Sequence, residues 1–546
     1  MAKLALGLDY GTNSVRALLV DTATGEELAS SVYNYPSGDA GVLLDRRDPN
    51  LARQNPADYV EGFYATVKEV LVGVDPSDVI GLGVDTTGSS PLPIDEQGTP
   101  LAFHENLKDQ LAAYCWLWKD HTSHAEAAEI TLKAKDQGAP YLAKCGGTYS
   151  SEWFWSKILR CARVAPDVFA EAYSWAECCD WITGYLTDNT NPKTMARSVC
   201  AAGHKAMYAA EWGGLPTKEF LSSLDPRLAD LRDRLYDVAV TSDHKAGGIS
   251  AEVAARTGLK EGTPVAVGAF DAHFGAVASG AKPGVLVKII GTSTCDCMVH
   301  PLDEPLADVP GLCGIVKGSV LPDCYGLEAG QSAVGDIFNW FSKFCGKSHE
   351  ELTEDGLKLS PGESGLIALD WNNGNRTILV DPLLTGLLVG QTLQTTPAEV
   401  YRTLVEATAF GALKIINRLE EYGVAVREVV NCGGIAEKSG FVMQIYADVC
   451  NRPMKISRSA QTCALGSAIF GAVVGGAYDN VYAAQAAMSG VKDLVYDPNP
   501  EAVAVYAKLF SLYSDLHDAL GTSEWQGNLA HVMKQLIEIR EDARGA

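Results

Sequence analysis

GLDYGTNSVRALLVD, residues 7–21, is an apolar run that ends in a carboxylate, turns through three small residues and leaves as a second apolar run. It reads as strand, tight turn, strand. A hairpin needs the turn Gly11-Thr12-Asn13 but has no need of Asp9 just before it. Glycine lets backbone N–H groups approach an anion closely, and Thr12 and Asn13 add side-chain donors. A carboxylate beside such a turn suits a magnesium ion, which keeps most of its waters and takes one or two carboxylates. Alone, the segment reads as a plain β-turn more readily than as a phosphate site.

The same order comes twice. After the opening hairpin, Asn55-Pro56 reads as a helix N-cap with proline at the first helical position, and Tyr59, Phe63, Val67 and Leu71 follow at helical spacing. VIGLGVDTTGSS (79–90) is then an apolar strand running into a small-residue loop. Later, GVLVKIIGTSTCDCMV (284–299) is a second hairpin, residues 397–423 form a long amphipathic helix, and VREVVNCGGIAEKSG (426–440) is a strand followed by a glycine pair. Two like halves facing each other would set two Gly-Thr turns across one cleft.

A chain of 546 residues is too long for one hydrophobic core. The division is expected near GAKPG (280–284), giving halves 1–280 and 281–546. A net charge of −24 without a basic run disfavours a nucleic-acid partner and reads as solubility. None of the fourteen cysteines forms C-x-x-C, so they read as buried, reduced thiols in a cytoplasmic protein. MAKLALGLDYG reads as no secretory signal. Residues 459–478 carry no charge over a membrane-spanning length, but they are mostly Ala, Gly, Ser and Thr; they read as a tightly packed buried helix, with no membrane partner.

The better-known phosphate loops are absent. Gly346-Lys347-Ser348 lacks the upstream glycine of a P-loop, since residue 341 is Phe, and Gly81-x-Gly83 has Thr86 where a third glycine belongs. TPVAVGAFDAHFGAVASGA (263–281) supplies another carboxylate, Asp271, at the end of an apolar strand. Such a position faces the crevice in which α/β proteins bind ligands. Phosphoryl transfer to an alcohol needs a carboxylate to take the hydroxyl proton, and Asp271 suits that role as well as that of a helix N-cap.

These stretches, with LWKDH (117–121), AAGHKAMY (201–208), EWGGLP (211–216) and GLEAGQSAVGDIFNWF (326–341), resemble the FGGY carbohydrate kinases over almost the whole chain. The Gly-Thr hairpin is shared with the wider actin, hexokinase and Hsp70 ATPases. AAGHK, GAFDAHFG and GLEAGQSAVGD are more specific and resemble the members that act on L-ribulose. The resemblance implies an α/β fold of two duplicated ribonuclease-H-like, actin-like ATPase domains with an ATP and sugar cleft between them. Gly11, Thr12 and Asn13 would be one phosphate hairpin and Gly291, Thr292 and Ser293 the other. Gly433 and Gly434 would approach the adenosine, where a Cβ would meet the nucleotide. Asp9 would serve magnesium and Asp271 would be the general base. Gly88, Trp118, Asp120, Lys205 and Glu328 would surround the sugar. A homodimer is a further expectation. By residue type alone Lys205 is a solvated surface lysine, Trp153 and Trp155 are packing residues, and His121-x-x-His124 is too small a set for a metal. Gln391, Thr403 and Phe154 depart from the family pattern without touching the proposed chemistry. Two rival readings are a kinase for D-ribulose, xylulose or glycerol and a non-enzymatic ATP switch.

Overall fold

The computed structural model describes residues 3–545, and its backbone forms two large sheets of one connectivity. The first contains β1 (Leu4–Tyr10), β2 (Ser14–Asp21), β3 (Glu27–Asn34), β4 (Val79–Thr86), β5 (Lys245–Gly248), β6 (Pro264–Ala266) and β7 (Ala269–Phe270). Its order is β5-β6-β4-β1-β2-β3, with β7 also paired to β4. The second contains β8 (Val285–Ile290), β9 (Thr294–Pro301), β10 (Gly314–Lys317), β11 (Cys324–Ala329), β12 (Glu428–Cys432), β13 (Met454–Ser457) and β14 (Val491–Tyr496), in the order β10-β11-β9-β8-β12-β13-β14. Read from the meander side, β3-β2-β1-β4-β6 matches β11-β9-β8-β12-β13. In both, three antiparallel strands are followed by two parallel ones. An antiparallel strand adds to the far side of each, β5 on β6 and β14 on β13. The duplication is therefore a property of the topology, although residue identity between the halves is low.

The helices that matter to the cleft are α1 (Pro56–Val70), α2 (Val199–Lys205), α3 (Asp271–Ala278), α4 (Gly335–Cys345), α5 (Pro397–Glu421), α6 (Gly434–Lys438) and α7 (Thr462–Val474). Local chemistry sets their starts. Asn55 accepts from Ala57 N ahead of Pro56 in α1, and a Thr396/Glu399 capping box with Pro397 opens α5. Each such cap contributes about 1 kcal/mol. These two helices are the crossovers that carry the chain from the meander to the parallel strands.

The expected buried helix is α7, buried without a break from Ala464 to Ala472. No helix is long and apolar enough to cross a membrane among the described residues. α7 lies directly on β1 and β4: a Cβ on Gly7, Gly81 or Gly83 would strike the backbone of Ala464, Gly471 or Ser467. The Gly81-x-Gly83 pattern is thus the seat of a helix, not a phosphate loop. α3 in turn reaches from the first half onto β8 and β9, and the rings of Phe274 in α3 and Phe470 in α7 stack 4.6 Å apart. The halves are joined by exchanged helices around one apolar core that includes Leu18, Val277, Val287, Leu465 and Ile469. We propose the boundary between residues 280 and 281, which falls between β7 and β8.

Candidate functional site

The two hairpins come at the same step of the repeated topology. Gly11 N donates to Ser14 O and Gly291 N to Ser293 O, both at 2.9 Å. Each turn is braced by a neighbour. Trp118 Nε1 donates to Thr12 Oγ1 at 3.0 Å. Val334 N donates to Thr292 O at 2.8 Å and Gly335 N to Gly291 O at 3.1 Å, which fastens the start of α4 beneath the second turn. A cavity of about 240 Å³ opens between the halves. Thr12, Gly88, Trp118, Lys205, Asp271, Gly291, Thr292, Ser293 and Glu328, all named from the sequence, line it together.

Three carboxylates gather near the first turn. Asp9 of β1 stands in register with Asp85 of the parallel neighbour β4, and Asp271 opens α3. Asp85 is fully buried; its Oδ2 accepts from Ser467 Oγ of α7 at 2.7 Å, and its Oδ1 has no partner among the described residues. Burial pushes the Asp9 carboxyl up. Burial and the Asp9 charge push Asp85 well up. Burial, then the Asp9 charge, lift Asp271 to about 7, against a 2.6 Å hydrogen bond from Ala272 N. The nearest cation to Asp9 is Arg16, with Nη1 at 3.9 Å. Crowded carboxylates with an orphaned oxygen and so little positive charge fit a divalent cation; Asp9 would hold it, with Asp85 behind.

At the other end of the cleft Lys205 is 4% exposed, which overturns the surface reading of its residue type. Its Nζ donates to Glu328 Oε1 at 2.8 Å and Oε2 at 3.1 Å. His204 Nδ1 lies 3.3 Å and His273 Nε2 3.6 Å from Glu328 Oε2. Burial opposes the Glu328 charge, but the Lys205 ammonium, which also donates to it, holds its carboxyl well below the usual range. Burial pushes His273 down to about 4 and His204 further, so both rings are neutral. Trp155 is fully buried with Nε1 donating to Ala206 O at 2.8 Å, and Trp153 packs with its ring 5.3 Å from Lys205 Nζ. His121 Nδ1 pairs with Ser151 Oγ at 3.1 Å.

Two expected site residues stand differently. Asp120 does not line the cavity: it is fully buried, and its carboxylate accepts from Ala52 N at 2.7 Å, Thr122 Oγ1 at 2.6 Å and Arg53 Nη1, leaving nothing for a ligand. The Asn13 side chain turns away and donates to Ala40 O at 2.6 Å, so the first turn offers Thr12 and backbone instead. Gly433 and Gly434, like Asp9 and Gly11, are not among the residues that line this cavity. Gly433 is required by its own chain, with φ +93° and Ile290 O where a Cβ would go, while a Cβ on Gly434 would enter open space. The sequence reading missed Asp85, Glu152, Arg376, His204 and His273. For Asp85 the signal was present: GLDYGT and GVDTTG share Gly-x-Asp before a small-residue turn. The histidines sit inside AAGHK and DAHF, quoted for their neighbours only.

The N-terminal domain model of the FGGY family of carbohydrate kinases matches residues 4–278, and the C-terminal domain model matches residues 286–475. A ribulokinase of Shouchella clausii is 41% identical over 573 aligned residues, covering 100% of this chain and 99% of the relative. A ribulokinase of Vibrio parahaemolyticus is 40% identical, covering 94% of this chain and 95% of the relative. Among solved structures, a xylulose kinase from Rhodospirillum rubrum superposes with a TM-score of 0.80 at 23% identity over 95% of this chain and 99% of that one. The Plasmodium falciparum glycerol kinase with ADP gives a TM-score of 0.77 at 15% identity over 94% and 98%. At these identities the two structures share the fold.

Proposed function

The chain belongs to the FGGY family of carbohydrate kinases, which makes it an ATP-dependent sugar kinase, and on that premise we propose that its sugar is L-ribulose, phosphorylated at the terminal primary hydroxyl. The observation that carries this reading is the single cavity lined by both Gly-Thr turns, by Asp271 and by the Lys205–Glu328 pair. The relatives are named ribulokinases, which supports ribulose as the sugar.

In the proposed reaction the sugar hydroxyl oxygen attacks the γ-phosphorus of ATP. The new O–P bond forms as the bond to the bridging oxygen of ADP breaks, and Asp271 takes the hydroxyl proton. A carboxylate lifted to about 7 is a stronger proton acceptor than an ordinary aspartate. The backbone N–H groups and hydroxyls of Thr12, Thr292 and Ser293 stabilise charge on the transferring group. Asp9 would hold magnesium, which would supply neutralisation of the phosphate charge when bound. Lys205 has a third N–H beyond the two given to Glu328, and it serves a sugar oxygen. Fourteen unpaired cysteines support a cytoplasmic location.

The test is ADP release by the purified protein with ATP and magnesium, across L-ribulose, D-ribulose, D-xylulose, glycerol and no sugar. Strong stimulation by L-ribulose is expected. Stimulation by another sugar alone would replace the substrate and keep the mechanism.

A further inference from the structure

Arg376 lies on the segment that joins two short paired strands, Ile367–Leu369 and Leu387–Val389. Gly330 N donates to Thr377 Oγ1 at 3.0 Å, so this segment is tied to the end of β11, close to Glu328. Glu152 comes from the other half, just ahead of the helix Phe154–Val164. Both side chains line the cleft beside Lys205 and Glu328.

Arg376 Nη2 donates to Glu152 Oε1 at a long 3.4 Å, and the two side chains are 24% and 21% exposed. A guanidinium carries five N–H donors, and a carboxylate that merely anchors one engages it in two short parallel bonds. Among the described residues Arg376 has this one hydrogen-bond partner, so its remaining donors are left for whatever fills the cleft. Lys205 is committed twice to Glu328, which leaves Arg376 as the donor-rich cation on this wall. A polyhydroxy ketone is rich in acceptor oxygens.

We propose that Arg376, held by Glu152, is a specificity-determining residue that donates to hydroxyl or carbonyl oxygens at the end of the sugar remote from the transferred phosphoryl group. The inference rests on the sugar-kinase reading of this site.

The full-length wild type, Arg376→Ala, Arg376→Lys and Glu152→Gln are assayed by ADP release, and sugar affinity is measured by calorimetry without ATP. Arg376→Ala is expected to raise the KM and Kd for the preferred sugar about 10- to 100-fold, the worth of a charge-assisted hydrogen bond, with KM for ATP within about twofold. Arg376→Lys keeps the charge but loses the fork and falls between. Glu152→Gln raises the sugar KM less, and discrimination between L-ribulose and D-ribulose narrows in all three. An Arg376→Ala enzyme with an unchanged sugar KM, or with both KM values rising together, overturns the inference and leaves a packing pair. Should Arg376→Ala not fold, Arg376→Lys decides on the same readout. A wild type whose ADP release ignores every sugar overturns the reading of the site itself, and the inference with it.

Discussion

Replacing Lys205 by Met keeps a long apolar stem and deletes the ammonium. The Lys205 and Glu328 side chains are 5% and 10% exposed, so solvent screening does little to soften the loss. Removing one partner of a buried ion pair leaves an uncompensated charge and costs about 3–5 kcal/mol. His204 and His273 remain at 3.3 and 3.6 Å from Glu328, and one ring N–H turned to the carboxylate places the expectation near the lower end, about 3 kcal/mol. The loss carries a pH signature. In the wild type the folded Glu328 titrates below its ordinary 4.5, so its stabilisation is fully present above that value and is lost only as pH falls through the lower folded one. Without Lys205, burial lifts the folded carboxyl above its unfolded value. Between pH 5 and pH 8 the variant is then nearest to wild type at the acid end and loses stability as pH rises. Glu328→Gln in the same chain removes the stranded charge and restores most of the difference. Urea unfolding followed by tryptophan fluorescence, on wild type, both single variants and the double variant at pH 5 and pH 8, measures all of this. Equal losses at both pH values, with the two substitutions simply additive, would refute the reasoning, because a stranded carboxylate must both titrate and couple.

Asp271→Asn should lower kcat at least ~10²-fold while the sugar Kd changes little; near-wild-type turnover would remove Asp271 from the role of base. Because Asp271 must be ionised to accept a proton, kcat/KM for the sugar should fall as pH drops below the Asp271 pKa. A cation beside Asp9 takes away part of the cause of its shift, so the midpoint lies at or below about 7, and a flat profile from pH 5 to 8 would count against it. Gly83→Ala drives a methyl into the Ser467 carbonyl and pushes α7 off the sheet. The expected destabilisation is about 1–3 kcal/mol, with loss of the Ser467–Asp85 bond, and an unchanged urea midpoint would show that the helix does not sit where Gly83 requires it.

Local chemistry carried much of this protein in its sequence. Small-residue turns between apolar runs can close as hairpins, Asn55-Pro56 and Thr396-Pro397 can start helices, and a carboxylate after an apolar strand lies where a strand ends; each depends on neighbours a few residues away. The repetition of that order was therefore legible, and with it the two turns and the place of Asp271, while the fold class came from the family resemblance that these stretches carry. What lay beyond reach depends on residues far apart in the chain. Asp120 reads as a ligand-facing carboxylate until Arg53, 67 positions earlier, is folded against it. Lys205 reads as a surface lysine until β11 delivers Glu328, 123 positions on. Gly81 and Gly83 read as a failed nucleotide motif until α7 lies on them. Glu152 and Arg376 belong to opposite halves and meet only across the cleft. A side chain's chemistry is fixed by its type, but its charge state, partners and access to a ligand are set by what packs around it, and only the tertiary structure decides that.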